Sequence, residues 1–252
     1  AGQIIKGPTV LSGTIEDSDP CVAVTPNGVV FVVWEYTPPD PDQVAYVTMD
    51  ANGGNITPAK YISGVKGDID DPTVAASTKN AEDNRVVIAW EDADGVEDHV
   101  AFTILDSSGT TLVSKRTITA AITEYQEEIN AAILPNGNVV IVCEAGGPST
   151  GEDVGYAIVD RSGALVVPVT FIDRPQNIDE PGVAVTPGGN IVIVWTEEVG
   201  AAAPVDDVMY TVLSSAGDTI KPVTKLTDSA KSEDEPAVIV DNNGKVVIIY
   251  EQ

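Results

Sequence analysis

One stretch of sequence recurs five times along the chain, and this repetition is the strongest constraint on its fold. The segments that begin at Asp17 and Ile178 align without a gap, as DSDPCVAVTPNGVVFVVWE and IDEPGVAVTPGGNIVIVWT. Three further copies follow the pattern, one of them with a longer turn between Ala76 and Arg85. Each copy has an acidic residue before its first apolar run, and successive acids of this set are 52 to 57 residues apart: Asp19, Asp71, Glu128, Glu180 and Glu235. Repetition at this spacing predicts one supersecondary unit that is used several times.

Each copy has the pattern of four short strands. In the first copy we expect a strand over Cys21 to Thr25, a tight turn, and a strongly apolar strand over Val29 to Trp34. A third strand over Val44 to Met49 and a fourth over Ile56 to Ile62 follow. The second strand is apolar at consecutive positions, which indicates that both its faces are covered, whereas the fourth carries polar residues, as expected at a rim.

Apolarity that falls from the inner to the outer strands is what radially stacked blades require. We therefore predict an all-β fold, a five-bladed β-propeller of antiparallel four-stranded blades. A β-sandwich also has short strands but would not repeat at this spacing, and a parallel β-helix has shorter coils. The prediction is a single domain over residues 1–252. Its blades cover approximately 18–67, 69–123, 126–176, 178–231, and 233–252 plus 1–16.

The last blade is predicted to take strands from both ends of the chain. Residues 1–13 align with GGNITPAKYISGV, a fourth strand, and the C-terminal copy ends after its second strand. The ring would then be closed by the N-terminal strand joining the C-terminal blade, which leaves no frayed seam. No segment supplies that blade with a third strand. The blade could have three strands only, or the chain could be a piece of a longer one. Alternatively, a partner adds the strand, either through self-association or from another surface protein.

The charge of the chain excludes one class of partner. Lys and Arg number 13 against 39 Asp and Glu, so the net charge is −26 and nucleic acid would be repelled. No run of about 20 apolar residues exists, so a membrane-spanning segment is not expected. Carboxylate oxygens are suited to Ca²⁺. No cofactor is required by these observations, and Ca²⁺ is the one candidate.

The repeated acids are the candidate metal ligands, since the start of each first strand lies at one face of a propeller. They are Asp19, Asp71, Glu128, Glu180 and Glu235. They could accept hydrogen bonds from backbone amides at the blade junctions, bind a cation, or supply the acid and base of a glycosidase. Catalysis normally requires carboxyl groups in different environments, and these copies look alike. The sequence therefore favours the first interpretation.

Three tryptophans occupy equivalent positions at the end of the second strand and are the candidate ligand-binding residues. They are Trp34, Trp90 and Trp195. Such rings can stack on sugars, but a position that adjoins the apolar strand favours packing between blades.

The stretches at residues 19–34 and 180–195 resemble the repeats of prokaryotic extracellular β-propellers. The resemblance implies the architecture and an extracellular or cell-surface location. Propellers include lectins, glycosidases and assembly scaffolds, so the fold does not select among them. The uniform acids and the incomplete last blade favour a non-enzymatic extracellular structural protein, such as a surface-layer or filament subunit. The alternative is a carbohydrate-binding propeller, lectin-like or a glycosidase that uses channel carboxylates.

Overall fold

The computed structural model describes residues 4–12, 17–37, 42–62, 68–77, 84–93, 99–118, 126–146, 151–199 and 205–252. These residues form eighteen β-strands in five antiparallel sheets. None of the described segments is a helix that could cross a membrane.

The strands follow the chain in sets, one set to each sheet, and each sheet is one blade. The first blade comprises β1 (Asp17–Val24), β2 (Val29–Tyr36), β3 (Gln43–Asp50) and β4 (Lys60–Tyr61). The second comprises β5 (Asp68–Ala76), β6 (Arg85–Ala93), β7 (Val100–Asp106) and β8 (Thr111–Ile118). The third comprises β9 (Gln126–Ile133), β10 (Val139–Gly146), β11 (Glu152–Val159) and β12 (Leu165–Ile172). The fourth comprises β13 (Ile178–Val185), β14 (Ile191–Val199), β15 (Val205–Leu213) and β16 (Thr219–Lys225). The fifth comprises β17 (Asp234–Val240) and β18 (Val246–Glu251).

Strands pair in chain order within every blade, and the innermost strands β1, β5, β9, β13 and β17 pack against one another in succession. This arrangement confirms the predicted all-β propeller of antiparallel blades. Two details differ from the prediction. The fourth strand of the first blade is short, Lys60–Tyr61 rather than Ile56 to Ile62, and the fifth blade has two strands in the described part of the chain.

The core lies between the blades, where second strands face each other. Phe31 and Val33 of β2 pack against Ile88 and Trp90 of β6, and all four side chains are buried. Alternate residues of a strand point to opposite faces, so the second strand in each of the three middle blades packs against the blade before it and the blade after it. This double burial explains why the second strands are apolar at consecutive positions.

The N-terminal closing strand is not confirmed. Residues 4–12 form no strand, and Ile4 and Val10 are 82% and 83% exposed. Leu11 packs beside Trp34 and Ala45 of the first blade instead of pairing with the last one. The rest of the predicted strand, residues 1–3 and 13–16, lies outside the described residues.

The first and last blades each have an exposed apolar face. Val22 on β1 is 61% exposed, whereas Val74, its equivalent on β5, is 6% exposed. Ile239 and Ile249 of the fifth blade are 66% and 65% exposed. These are the faces that pack together at the other junctions, so closure of the ring and addition of a strand by a partner stay predictions.

Trp195 tests the packing between blades, because the repeat supplies a matched control. Trp195 is fully buried, and Tyr250 has the equivalent position in the last blade at 42% exposure. Trp195→Ala should lower the free energy of unfolding by about 3–5 kcal/mol. Tyr250→Ala should lower it by about 1 kcal/mol or less. Urea unfolding followed by circular dichroism measures both, and equal losses would contradict the assignment of the core.

Candidate functional site

The five repeated acids lie at the same end of the innermost strands, and this end of the structure is called here the acidic mouth. Each has a positive φ, between 47° and 53°: Asp19, Asp71, Glu128, Glu180 and Glu235. The innermost strand of each blade also shifts register at this residue, as between Ser18 and Cys21. A residue other than glycine is strained in this left-handed region, and such strain persists only where its surroundings enforce it. The bulge therefore holds each acid in a fixed direction at the mouth.

Hydrogen bonds between blades account for part of this enforcement. Glu180 Oε2 accepts the backbone N–H of Glu235 at 2.6 Å. The carboxylate of Asp71 likewise accepts the backbone N–H of Glu128. In both pairs the acid of one blade binds the strained residue of the next blade. These contacts support the interpretation that the acids accept hydrogen bonds from backbone amides at the junctions.

A second group of acids adjoins the first. Asp19, Glu35 and Asp70 bring carboxylate oxygens within 4.8 Å of one another at the junction of the first and second blades. Of the five predicted metal ligands only Asp19 belongs to this group. Among the described residues the other four form no cluster of this kind: Asp71, Glu128, Glu180 and Glu235. Binding of Ca²⁺, which takes six to eight oxygen ligands, stays a prediction.

Three acids of the mouth bind protons more tightly than usual, and burial is the first cause in each: Asp71, Glu128 and Glu180. Burial first, and then the charges of Asp71 and Asp179, raise the pKa of Glu128 to about 7. Burial also raises the pKa of Glu180 to about 7, although the hydrogen bond from the N–H of Glu235 opposes the shift. Both carboxyl groups can therefore hold and donate a proton close to neutral pH.

Glu144, near the end of β10, is a buried neighbour of this group. It is 6% exposed, and burial raises its pKa well above the ordinary value, with the charge of Glu152 as the next cause. Its side chain is hydrogen-bonded to that of Asp179. The raised pKa favours the protonated form of Glu144, which can donate this hydrogen bond.

Other acids near the ends of second strands have different partners. Glu197 accepts two hydrogen bonds from Arg174, from Nε and Nη2, each at 2.7 Å. Glu35 accepts the hydroxyl groups of Ser18 at 2.7 Å and Thr37 at 2.9 Å. Acids near this end of the second strands therefore have different partners, and Glu197 lies one residue beyond the position of Glu35 and Glu144, which Thr196 occupies in the fourth blade.

Sequence reasoning missed the second acid of each junction. The residue directly before each of the five repeated acids is itself acidic in four copies: Asp70, Glu127, Asp179 and Asp234. The alignment contained this signal. It became informative only when the fold placed Asp179 beside Glu144 of the preceding blade.

The three tryptophans lie away from solvent. Trp34 is 5% exposed, and Trp90 and Trp195 are fully buried. Stacking on a sugar requires an open ring face, so burial supports the interpretation that these rings pack between blades. A role for Trp34, Trp90 and Trp195 in ligand binding stays a prediction.

No family model matches this chain, and no curated protein matches it. Several solved structures do. An α-L-arabinanase from Penicillium chrysogenum, complexed with arabinobiose, has a TM-score of 0.62 at 13% identity, over 92% of this chain and 74% of that one. An endo-arabinase from Bacteroides thetaiotaomicron has a TM-score of 0.56 at 14% identity, over 93% and 88%. An α-L-arabinofuranosidase from Lactobacillus brevis has a TM-score of 0.56 at 11% identity, over 92% and 82%.

Likeness at this level of identity shows the fold. The matched folds belong to carbohydrate-active enzymes, which contradicts the leading prediction of a non-enzymatic structural or assembly protein of a surface layer or filament. That prediction assumed that the repeated acids were equivalent, and their environments differ. The comparisons favour the alternative, a carbohydrate-binding propeller or glycosidase.

The raised pKa of Glu128 predicts how stability depends on pH. Its ordinary value is 4.5 and its folded value is about 7, so the native state binds more protons between these values. This contribution to stability is complete below about pH 4.5 and is lost as the pH rises through about 7. Glu128→Gln should therefore reduce the fall in the free energy of unfolding between about pH 5 and 7.5.

Urea unfolding at the two pH values measures this fall. Asp241→Asn is the control, because hydrogen bonds from backbone amides, that of Lys245 first, lower the pKa of Asp241 below its ordinary value of 3.8. The control should leave the fall unchanged. An equal fall in the wild type and in Glu128→Gln would show that Glu128 does not take up the proton.

Proposed function

We propose that this protein is an extracellular glycosidase that cleaves a neutral polysaccharide of the arabinan type at the acidic mouth. The observation that carries the proposal is the unequal environment of the repeated carboxyl groups. Burial raises the pKa of Glu128 to about 7, whereas Asp71 accepts the backbone N–H of Glu128, and this hydrogen bond opposes the rise that burial causes in the pKa of Asp71. Pairs of titratable groups whose environments differ are the usual mark of acid and base assignments.

Glycoside hydrolysis needs one carboxyl group that donates a proton and a second that acts as base or nucleophile. We assign the first role to Glu128, because burial and neighbouring charges hold its pKa at about 7. We assign the second role to Asp71, the first among the charges that act on Glu128. Its carboxylate also accepts the N–H of Glu128, so one junction positions both residues. This chemistry uses carboxyl groups alone and needs no cofactor.

The charge of the protein supports a neutral substrate. A net charge of −26 and a mouth lined by acids would repel glycans that carry carboxylate or sulfate groups. Arabinobiose, the sugar named with the Penicillium arabinanase, is a neutral disaccharide of arabinose. Arabinan is therefore the first substrate to test. Polysaccharides of this kind occur outside the cell, and an extracellular location of the protein agrees with its resemblance to extracellular propellers.

Activity on linear arabinan tests the proposal. Glu128→Gln and Asp71→Asn should each lower kcat by roughly 100-fold or more, because each removes a group that moves a proton or attacks in the transition state. Glu251→Gln, an exposed acid at the end of β18, should change kcat little. Release of reducing sugar measures all three, with polygalacturonate as the anionic polymer that should stay intact.

The pH profile gives a second test of the same residue. Because Glu128 must be protonated to act as an acid, kcat/KM should fall as the pH rises above about 7. Binding of arabinan oligosaccharides without cleavage would favour the lectin-like alternative. If the protein neither binds nor cleaves arabinan, the proposal is overturned.

A further inference from the structure

A groove of about 450 Å³ lies between the second and third blades. One wall comes from the start of β6 and from β8, and the other from the turn after β11. It is lined by Arg85, Leu112, Val113, Ser114, Lys115, Arg116, Arg161 and Ser162. Arg85 lies at the start of β6, far from Glu91 near the end of that strand. The β11–β12 turn follows the end of β11, far from Glu152 at the start of that strand. The groove therefore opens at the face opposite the acidic mouth.

Positive charge is concentrated in this groove. The chain has four arginines, and three of them line it, Arg85, Arg116 and Arg161, together with Lys115. No Asp or Glu is among the described residues that line it. In a protein with 39 acids and 13 Lys and Arg, cations spread evenly would not collect in this way.

The repeat shows that blade packing does not require these arginines. Arg116 is opposite Phe102 on β7, and in the next blade Thr170 is opposite the equivalent Tyr156. The other equivalents at the next junction are also neutral. Asn138 takes the place of Arg85, and Ser215 takes the place of Arg161. Junctions with the same architecture thus form with neutral residues at all three positions.

Contacts with the backbone hold the guanidinium groups in place. Arg85 Nη1 donates to the carbonyl oxygen of Arg161 at 2.9 Å, and Arg161 Nε donates to that of Asn136 at 3.0 Å. Arg116 lies against Gly163, where an added Cβ would come within 3.2 Å of its Cδ. Groups held in this way lose little freedom when they bind an anion.

The carboxylates near the groove have other roles. Asp92 forms an ion pair with Lys115 at 2.6 Å. Asp106 and Asp160 accept backbone and hydroxyl hydrogen bonds within their own tight turns. These hydrogen bonds, that of the Ser162 hydroxyl first, lower the pKa of Asp160, and the charge of Arg116 acts in the same direction.

We propose that this groove is a binding site for a sulfate or phosphate group. Guanidinium groups bind tetrahedral oxyanions through paired, charge-assisted hydrogen bonds, and three of them converge here. The volume of the groove is within the range of small-molecule sites and exceeds what a bare ion fills, so the group is carried by a small molecule such as a sugar ester. The site is separate from the acidic mouth and does not depend on the proposed glycosidase activity.

Calorimetric titration of the wild type at low ionic strength tests the site. The probes are inorganic sulfate, inorganic phosphate, glucose 6-sulfate and glucose 6-phosphate. Binding of an ester at least about tenfold tighter than the bare ion would show that the sugar contributes, and equal binding would place recognition on the oxyanion alone. Absence of binding to all four probes up to about 10 mM would overturn the proposal.

The next junction supplies the replacement residues. A triple variant combines Arg85→Asn, Arg116→Thr and Arg161→Ser. It should bind the best probe at least about tenfold more weakly, while its cleavage of arabinan stays unchanged. The control Lys221→Ala, Lys231→Ala, Lys245→Asn lowers the net charge equally outside the groove and should keep the affinity. Unchanged binding in the arginine variant, or equal loss in both, would overturn the proposal. Arg116→Thr alone gives the same test if the triple variant does not fold.

Discussion

The packing of the second strands between neighbouring blades is the interaction on which the rest of the structure depends. Side chains such as Phe31 and Trp90 are buried at such a junction, and burial of apolar side chains is the main favourable term in folding. Because the contact is repeated at successive junctions, it places the innermost strands next to one another. The acidic mouth is a product of that arrangement, since its acids come from different blades and meet only in the folded chain.

The repeat made the inner strands predictable and the outer ones less so. The second strand of the first blade was expected over Val29 to Trp34 and is observed over Val29–Tyr36. A run of apolar residues between two turns is stable only as a buried strand, so its position could be predicted. The fourth strand of the first blade is shorter than expected because a rim strand with polar residues has a weak pattern. The N-terminal segment aligned with a fourth strand, yet residues 4–12 form no strand. A fourth strand needs a third strand to pair with, and sequence similarity alone does not show that one is present.

The positions of the site residues could be predicted, but their chemistry could not. Recurrence alone located Asp71 and Glu128. Their pKa values depend on burial and on charges contributed by other blades, such as Asp179, and those distances exist only in three dimensions. Similar copies were therefore expected to behave alike, and this expectation led to the wrong functional class. The arginine groove shows the same effect, since Arg85, Arg116 and Arg161 are far apart in sequence.

The positive φ of the five acids has a consequence for how such a protein can change. The left-handed conformation is tolerated by Asp, Asn and Gly and is costly for β-branched residues, so the set of exchangeable side chains at each position is narrow. Within that set, an exchange alters the chemistry of the mouth and leaves the strand path intact. Evolution or engineering can thus change the side chains at five equivalent points while the paths of the innermost strands stay the same.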